Sequence, residues 1–258
     1  MNISSRIKKL HSKHRKLRHQ QQQTGQKIRP NLVFFTGAGI SKESGIATFR
    51  DKDGLWQDNN NLKYAFMESF KSNLVGFLDF YNKRRTSILA ATSSEAHQMI
   101  AALERDFNVT VVTQNIDDLH ERAGSSRVIH LHGSILHIRP HGFTTKRYFL
   151  PWQENIEPGI RHSLTNSQLR PNVVLFGEQI QHYNEAKRVL ATADIVALVG
   201  TSLTVEPAAS LLNCIYPLAK IFNINPDSYS ESATMLNIEH LRMTASDGLV
   251  CLQKKFNN

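Results

Sequence analysis

Short, mostly apolar runs separated by helical patterns constrain what this chain can fold into. The runs lie at residues 32–35, 109–112, 128–131, 173–176, 195–199 and 221–224. Such runs are typical of parallel strands that are buried on both faces. Apolar side chains at helical spacing, as at residues 74–81 and 96–103, predict amphipathic helices between them. The sequence therefore predicts an α/β fold with a doubly wound parallel sheet and with ligands at the carboxyl ends of its strands.

The first run ends in a glycine turn, Gly37-Ala38-Gly39, ahead of Ile40 and Ser41. Glycines permit close approach of the backbone, and a helix that opens here would direct N–H groups toward a phosphate. The turn favours a nucleotide-binding site, with an ordinary turn between strand and helix as the alternative. Lys42 stands where a dehydrogenase fingerprint has its third glycine, so the turn departs from the hydride-transfer pattern.

The net charge of +9 originates at the beginning of the chain. Residues 1–30 contain nine Lys and Arg side chains and no acidic one, whereas the remainder is electrically balanced. Few apolar residues and a glutamine run at 20–23 predict that residues 1–30 form a disordered basic arm. Its cations favour weak contact with nucleic acid or an anionic surface. A transit peptide and a solvated tail without a partner are the alternatives.

Cysteine usage and hydropathy predict a cytoplasmic protein. Cys214 and Cys251 are the only cysteines, so neither a disulfide framework nor a Cys-x-x-Cys metal motif is expected. No apolar run approaches the roughly 20 residues that a membrane helix needs, and the first residues lack the apolar core of a secretion signal. We therefore expect no membrane span.

Two long segments interrupt the alternation of strands and helices. Residues 46–72 are predicted to form a polar loop and a short helical stretch, and residues 134–170 show no clear period. Segments of this length inside a compact domain are usually lids or lobes. We expect residues 31–258 to form one domain, with a small second lobe built from about residues 46–72 and 134–170.

Polar groups follow four of the predicted strands, where a ligand crevice needs them. They lie at residues 113–120, at His132-Gly133, at Gly200-Thr201-Ser202 and at Asn225. Amide and hydroxyl groups in these places would bind ribose and nicotinamide edges without adding charge. Asp117, taken alone, is equally explained as a helix cap.

Taken together, these segments resemble the sirtuin family of NAD-dependent protein deacylases. The resemblance covers about residues 31–253 and is carried by Gly37-Ala38-Gly39-Ile40-Ser41 with Phe49-Arg50, Thr113-Gln114-Asn115-Ile116-Asp117, His130-Leu131-His132-Gly133 and Gly200-Thr201-Ser202. It implies a Rossmann-like sheet with a small second lobe, and NAD as cofactor. It also implies protein-lysine deacylation that yields nicotinamide and O-acyl-ADP-ribose, with acylated-lysine proteins as substrates.

The resemblance assigns roles to individual residues. The cofactor is expected to contact Gly37, Ala38, Gly39, Ile40, Phe49, Arg50, Gln114, Asn115, Ile116, Asp117, Gly200, Thr201, Ser202 and Asn225. His132 is the expected base for a ribose hydroxyl, and Asn115 is the second expected catalytic residue. Spacing alone does not choose between His130 and His132, which should point the same way along a strand. The family pattern chooses His132.

A further group of residues resembles the class III, desuccinylase-like sirtuins, which include bacterial members. Tyr81 and Arg84 match their Tyr-x-x-Arg signature, and at i and i+3 of a helix they would jointly bind the carboxylate of a succinyl or malonyl group. Ala65 matches the small residue that widens the acyl pocket, although Phe66-Met67 departs from the usual pattern. The substrate peptide is expected to pair as a strand with Val174, Phe176 and Gly177.

The chain departs from the family where its members hold a structural zinc ion. Four cysteines are usual between the His-Gly motif and the Val-Val-x-Phe-Gly-Glu strand, and this chain has none there. His137, His141 and His162 offer no clear fourth ligand, so zinc is not expected. We expect packing to hold the lobe instead, through Phe143, Tyr148, Phe149 and Trp152.

Two other functions would use the same cofactor site. In ADP-ribosyl transfer or NAD hydrolysis, another nucleophile or water captures the ribose. A non-catalytic NAD-binding protein would carry out neither reaction.

Overall fold

Six parallel strands form the main sheet of the computed structural model, which describes residues 3–24, 29–48, 54, 57–204, 206–226 and 238–257. The strands are β1 (Asn31–Thr36), β2 (Asn108–Thr113), β3 (Val128–His130), β7 (Ile195–Val199), β8 (Lys220–Ile224) and β9 (Ile238–Leu241). Their order is β3-β2-β1-β7-β8-β9, and every neighbouring pair is parallel. The chain builds outward from β1 in both directions, which confirms the predicted doubly wound sheet.

Helices cover both faces of this sheet. The structure describes the α-helices α1 (Ile3–Thr24), α2 (Gly39–Lys42), α3 (Asn59–Leu62), α4 (Met67–Ser72), α5 (Leu74–Ala90), α6 (Glu95–Ala102), α7 (Leu119–Arg122), α8 (Tyr183–Leu190) and α9 (Ala245–Asn257), of which α6, α8 and α9 pack on the main sheet. Leu32 and Phe34 of β1 pack in one core with α6 and α9, whereas Val33 and Phe35 pack in another with α8. Both faces of β1 are thus buried, which is why its sequence is apolar without alternation. Among the described helices, none combines the length and hydropathy needed to cross a membrane.

A second sheet forms where the sequence showed no clear period. Its strands β4 (Gly133–Pro140), β5 (Leu150–Pro151) and β6 (Leu169–Val173) are antiparallel, in the order β5-β4-β6. Ile135 and Ile138 of β4 belong to a third buried cluster with Phe77 and Leu78 of α5. This cluster joins the second sheet to α5.

The predicted parallel strand at residues 173–176 is wrong. Val173 ends β6 of the second sheet, and Phe176 makes only an isolated bridge to Phe66. An apolar run indicates that a segment is buried, but it does not identify the strand with which the segment pairs. Strand β9 was not predicted, because Leu241 is its only buried side chain.

The basic arm is helical over Ile3–Thr24, so the prediction of disorder is wrong for that range. Asp194, immediately before β7, holds this helix: its carboxylate accepts a 2.8 Å hydrogen bond from Arg18 Nε and lies 3.1 Å from His14 Nε2. The His14 ring packs edge-on against Tyr216, with centroids 4.9 Å apart. Both partners lie far along the chain, so local composition did not reveal them.

Candidate active site

A cavity of about 970 Å³ opens at the carboxyl ends of the central strands. The residues that follow β1, β2, β7 and β8 all contribute to its wall, as does His132 after β3. In a doubly wound sheet, the carboxyl ends beside the first strand form the usual ligand crevice, because the connections leave in opposite directions there. The cavity therefore lies where the fold favours a ligand.

The glycine turn after β1 packs directly against the turn after β7. Gly37 N–H donates to Val199 O at 3.0 Å, and Gly39 N–H donates to Gly200 O at 2.9 Å. A Cβ at Gly37 would lie 2.7 Å from Gly200 O, and one at Gly39 would lie 2.7 Å from Gly200 Cα. The two glycines therefore permit backbone-to-backbone contact. The sequence suggested that these N–H groups would be free to bind phosphate. The N–H groups of Gly37 and Gly39 instead hold the turn in place through their bonds to Val199 O and Gly200 O.

Asn115 is fixed beneath the turn by a buried hydrogen-bond network. Its Nδ2 donates to Gly37 O and to Ser41 Oγ, both at 3.1 Å, and Ser41 Oγ donates to Asp117 Oδ2 at 3.0 Å. Asp117 Oδ1 accepts from Leu119 N–H at 3.2 Å, so Asp117 also serves the first turn of α7. Burial raises the pKa of Asp117, while the bonds from Leu119 and Ser41 act in the opposite direction.

Hydrogen bonds distinguish the two histidines that spacing left equivalent. His132 lines the cavity, and its Nδ1 donates to Gln114 O at 2.9 Å, which leaves Nε2 as the basic nitrogen of the neutral ring. His130 instead lies 2.8 Å from Glu121 Oε1 through Nε2 and 3.0 Å from Asn115 O through Nδ1. Burial is the largest influence and lowers the pKa of His130, but Glu121, Asn115 O and Asp117 together outweigh it, so that the pKa is raised. His130 is therefore a structural ion pair.

Gln114 provides a donor at the cavity wall. Its Oε1 accepts from Thr201 Oγ1 at 2.7 Å, and Thr201 O accepts from Asn225 Nδ2 at 3.2 Å. The buried Gln114 Nε2 has no hydrogen-bond partner among the described residues. A sugar hydroxyl or amide oxygen would satisfy it, which fits a nucleotide such as NAD.

Four side chains line one wall of the cavity where an acyl group is expected, namely Ala65, Phe80, Tyr81 and Arg84. Tyr81 and Arg84 both come from α5, as their spacing predicted. Tyr81 hydroxyl donates to Tyr64 O at 3.1 Å, and burial raises the pKa of Tyr81. Burial also lowers the pKa of Arg84, which nevertheless stays protonated at neutral pH. This wall presents a cation and a phenol to the cavity.

The segment after β6 forms another wall, through Val174, Phe176 and Gly177. Val174 N–H donates to His132 O, and Phe176 N–H donates to Ala65 O, each at 2.9 Å. Both N–H groups are thus used within the protein. A peptide that pairs with this segment would therefore bind to the carbonyl oxygens of the segment and to Gly177 N–H.

A buried ion cluster supports this segment from behind. Glu178 accepts from Arg139 Nη2 at 2.9 Å, from Arg170 Nη1 at 3.0 Å and from Leu175 N–H at 2.9 Å. Burial is the largest influence on Glu178 and opposes ionisation, but Arg170, Leu175 and Arg139 together lower its pKa. Sequence reasoning missed this cluster. Its only local signal was an acidic residue after Gly177.

Most of the predicted site residues meet in this one cavity. The lining includes Gly37, Ala38, Gly39, Gln114, Asn115, Ile116, His132, Gly200, Thr201, Ser202 and Asn225, together with Ala65, Tyr81, Arg84, Val174, Phe176 and Gly177. Ile40 is instead buried in the core beneath the sheet, and Asp117 lies behind Asn115. Phe49 and Arg50 lie outside the described residues. Ser41 was missed as a site residue, although it belongs to the first sequence block.

Among the residues that the structure describes, no group of three His, Cys, Asp or Glu side chains is arranged to hold a metal ion. Three histidines, His137, His141 and His162, lie in the part of the sequence where family members have zinc-binding cysteines, and two of them make aromatic contacts. His141 stacks on Phe70 with centroids 4.6 Å apart, and His162 meets the edge of Tyr148 at 5.6 Å. Of the residues predicted to hold this region by packing, Phe143 contacts Tyr148 at 5.0 Å and Trp152 packs against the third buried cluster.

Comparisons with known proteins match most of the chain. The model of the Sir2 family matches residues 37–207. An NAD-dependent protein deacylase of Helicobacter pylori is 43% identical over 196 residues, which cover 76% of this chain and 84% of the relative. A crystal structure of a Sir2 homolog with NAD is 35% identical, with a TM-score of 0.77 over 88% of this chain and 89% of that chain. A Sir2 structure with 2′-O-acetyl-ADP-ribose and a deacetylated p53 peptide is 27% identical, with a TM-score of 0.71 over 88% and 94% of the two chains.

Proposed function

The chain belongs to the Sir2 family, and on that premise we propose which of its residues carry out NAD-dependent deacylation. The protein is an NAD-dependent protein-lysine deacylase. It transfers the acyl group of an acylated-lysine protein to ADP-ribose and releases nicotinamide. NAD is consumed in this reaction, and it supplies the ribose carbon that nicotinamide leaves.

One observation supports the assignment of the active site above all others. Asn115, His132, Thr201 and Asn225 follow four different strands of the sheet, yet they line a single cavity. Together with the unsatisfied donor of Gln114, they offer neutral polar groups and one base to a nucleotide. This combination suits a cofactor that must be held and then cleaved.

We assign the proton transfer to His132. Since Nδ1 donates to Gln114 O, the basic Nε2 would take the proton of a ribose hydroxyl while the backbone keeps the ring oriented. Asn115, fixed by Gly37 and Ser41, would position the nicotinamide end of the cofactor next to Ile116. A small displacement of either group would lower the rate, because the reaction depends on geometry.

The acyl group removed is, in our proposal, a succinyl or malonyl group as well as acetyl. Arg84 and Tyr81 line the same wall, next to the small side chain of Ala65. A guanidinium in a buried place is well suited to a carboxylate, because charge-assisted bonds strengthen where water is excluded. An acetyl group would occupy the same space without meeting this charge.

The activity is tested by incubating the protein with NAD and with peptides that carry acetyl-lysine, succinyl-lysine or unmodified lysine. We expect nicotinamide release together with loss of the acyl mass from the first two peptides only. Nicotinamide without deacylation would indicate ADP-ribosyl transfer or NAD hydrolysis. Neither product would indicate a non-catalytic NAD-binding protein.

We also propose that α1 makes weak contact with nucleic acid or an anionic surface. Its cations Lys8, Lys9, Lys13, Arg15 and Lys16 are exposed. The helix is anchored at Asp194 before β7, whereas the cavity lies at the opposite ends of the strands. A partner on α1 would therefore leave the cavity open.

Replacement of Lys9, Lys13 and Lys16 by Gln tests this contact. Binding to duplex DNA and to vesicles of anionic lipid is measured against salt concentration for both proteins. If these lysines neutralise DNA phosphates, each lost contact should reduce the slope of log affinity against log salt by about 0.9. Identical slopes would contradict a contact through this face.

We further propose that residues 31–258 act as one catalytic domain in the cytoplasm, with a small lobe from about residues 46–72 and 134–170. Helices α3 and α4 and strands β4 and β5 lie largely within those two segments. The unpaired cysteines Cys214 and Cys251 are in keeping with a reducing compartment. Limited proteolysis would test the boundary: a fragment that begins near residue 31 and resists further cleavage would support it, whereas early cleavage within residues 31–258 would contradict it.

A further inference from the structure

Phe66 departs from local sequence preferences at the rim of the cavity. It is the N-cap residue of α4, and its side chain makes no capping hydrogen bond. Ser, Thr, Asp and Asn are preferred at this position because their oxygens accept bonds from the first helical N–H groups. Phe66 does not fill the core either, since it is 39% exposed. Neither capping nor burial explains an aromatic side chain here.

Phe66 is paired with Phe176 of the segment that follows β6. The ring centroids are 5.1 Å apart with an interplanar angle of 34°. The two residues form a parallel bridge, and Phe176 N–H donates to Ala65 O at 2.9 Å. Phe176 is itself 41% exposed. The backbone contacts therefore hold two adjacent rings at the surface, and we call this pair the aromatic rim.

The aromatic rim adjoins the place where the substrate is expected. Phe176 and Ala65 line the cavity, whereas Phe66 lies just outside its wall. Phe66 is thus placed to contact a group that enters beside the acyl chain, but not the acyl chain or the cofactor. Single exposed apolar side chains are ordinary, whereas adjacent ones beside a ligand cavity mark a contact with an apolar group.

We propose that the aromatic rim binds an apolar side chain next to the acylated lysine of the substrate peptide, so that Phe66 selects among substrate sequences. The inference rests on the proposed function, because the peptide must lie along the segment that contains Val174 and Phe176. The ligand class is an acyl-lysine peptide with an aliphatic or aromatic flanking residue. An acidic flanking residue would not bind more tightly through contact with two apolar rings, because its charge prefers water.

The test compares KM and kcat for peptides that share one acyl-lysine and differ in one flanking residue at a time. We expect the best Leu or Phe peptide to have a KM about tenfold below that of its Ala counterpart, with similar kcat. Phe66→Thr should remove this difference. Threonine supplies the missing cap, so the variant is expected to fold at least as well as the wild type.

Two controls make the result specific. Leu218→Thr changes another exposed apolar residue, close to the amino end of β8 and away from the cavity, and should keep the preference. A blocked acyl-lysine without flanking side chains should be deacylated equally by the wild type and Phe66→Thr. A preference that survives in Phe66→Thr, or is absent from the wild type, would overturn the inference. If the wild type failed to deacylate even the blocked lysine, the assigned active site would fall as well.

Discussion

His130 and His132 lie two positions apart, and their surroundings separate their chemistry. His130 is bound on both ring nitrogens, by Glu121 and by Asn115 O. His132 faces the cavity with its ring oriented by Gln114 O. The difference lies entirely in what the rings touch, since both residues belong to the same short stretch of sequence.

We predict that His132→Ala lowers kcat for deacylation by about 10²- to 10⁴-fold, because a positioned base is lost. NAD affinity measured by calorimetry should change little. His130→Gln is the matched control. It breaks the ion pair with Glu121 and should lower the melting temperature, whereas kcat should stay close to the wild-type value. Deacylation by His132→Ala at the wild-type rate would rule out its role as the base.

Arg84 should determine which acyl groups are accepted. We predict that Arg84→Met weakens desuccinylation by at least about tenfold and deacetylation far less, since only the succinyl group carries a carboxylate for the guanidinium. The readout is kcat/KM for matched acetyl- and succinyl-peptides. Lys83→Met removes a neighbouring exposed cation, which pairs with Asp79 on the surface, and should affect neither substrate. Equal loss of both activities in Arg84→Met would refute carboxylate recognition.

Helix α5 also contacts the second sheet, through Arg85, the residue that follows Arg84. Arg85 is almost fully buried and donates to Ile135 O of β4, to Glu154 O and to Asn82 Oδ1 at 2.8 to 3.1 Å. Asn82 in turn holds both backbone groups of Ile156. These bonds join α5 to β4 and to the segment around Glu154 and Ile156, in the interval where family members carry zinc ligands. The sequence predicted apolar packing here and missed the buried polar contacts.

Arg85→Met is predicted to lower the free energy of unfolding by about 2–4 kcal/mol, because it removes three hydrogen bonds and leaves the carbonyl of the buried Ile135 without this donor. Urea unfolding monitored by fluorescence measures the change. Lys83→Met, on the exposed face of the same helix, should change stability by less than about 0.5 kcal/mol. Similar midpoints for the two variants would show that the bonds of Arg85 do not hold this region.

The whole molecule should lose stability on mild acidification, because it buries two neutral histidines beside each other. Burial lowers the pKa of His97 to about 4 and lowers that of His120 as well, and their rings are 4.7 Å apart. Between the unfolded pKa of about 6.5 and these lower values, the unfolded chain binds protons that the folded chain does not. The free energy of unfolding should therefore fall as pH falls from about 6.5 to 4.

The slope should approach about 1.4 kcal/mol per pH unit for each of these histidines. His130 has a raised pKa and acts in the opposite sense, so its contribution is lost only above pH 6.5. Urea unfolding between pH 4 and 8 measures the profile. His97→Gln preserves a Ser-x-x-Gln capping box with Ser94 and should reduce the acid slope. An unchanged slope in this variant would contradict the role of His97.

Local sequence was sufficient for the central strands and for the ligand-binding edge of the sheet. The buried runs of β1, β2, β7 and β8, and the glycines after β1, depend on periodicity and turn chemistry that neighbouring residues encode. Residues just beyond such strands must meet at one edge of a parallel sheet. The cavity residues directly after β1, β2, β7 and β8, such as Gly37, Asn115, Thr201 and Asn225, follow from that rule.

Other features depend on contacts between residues that are distant in the sequence, and the sequence pattern did not determine them. These contacts dock α1 on Asp194, place Val173 in the second sheet, and pair Phe66 with Phe176. They also assign one histidine to the cavity and the other to an ion pair. A sequence pattern indicates how deeply a side chain is buried, but not which group lies opposite it, and these features depend on that opposing group.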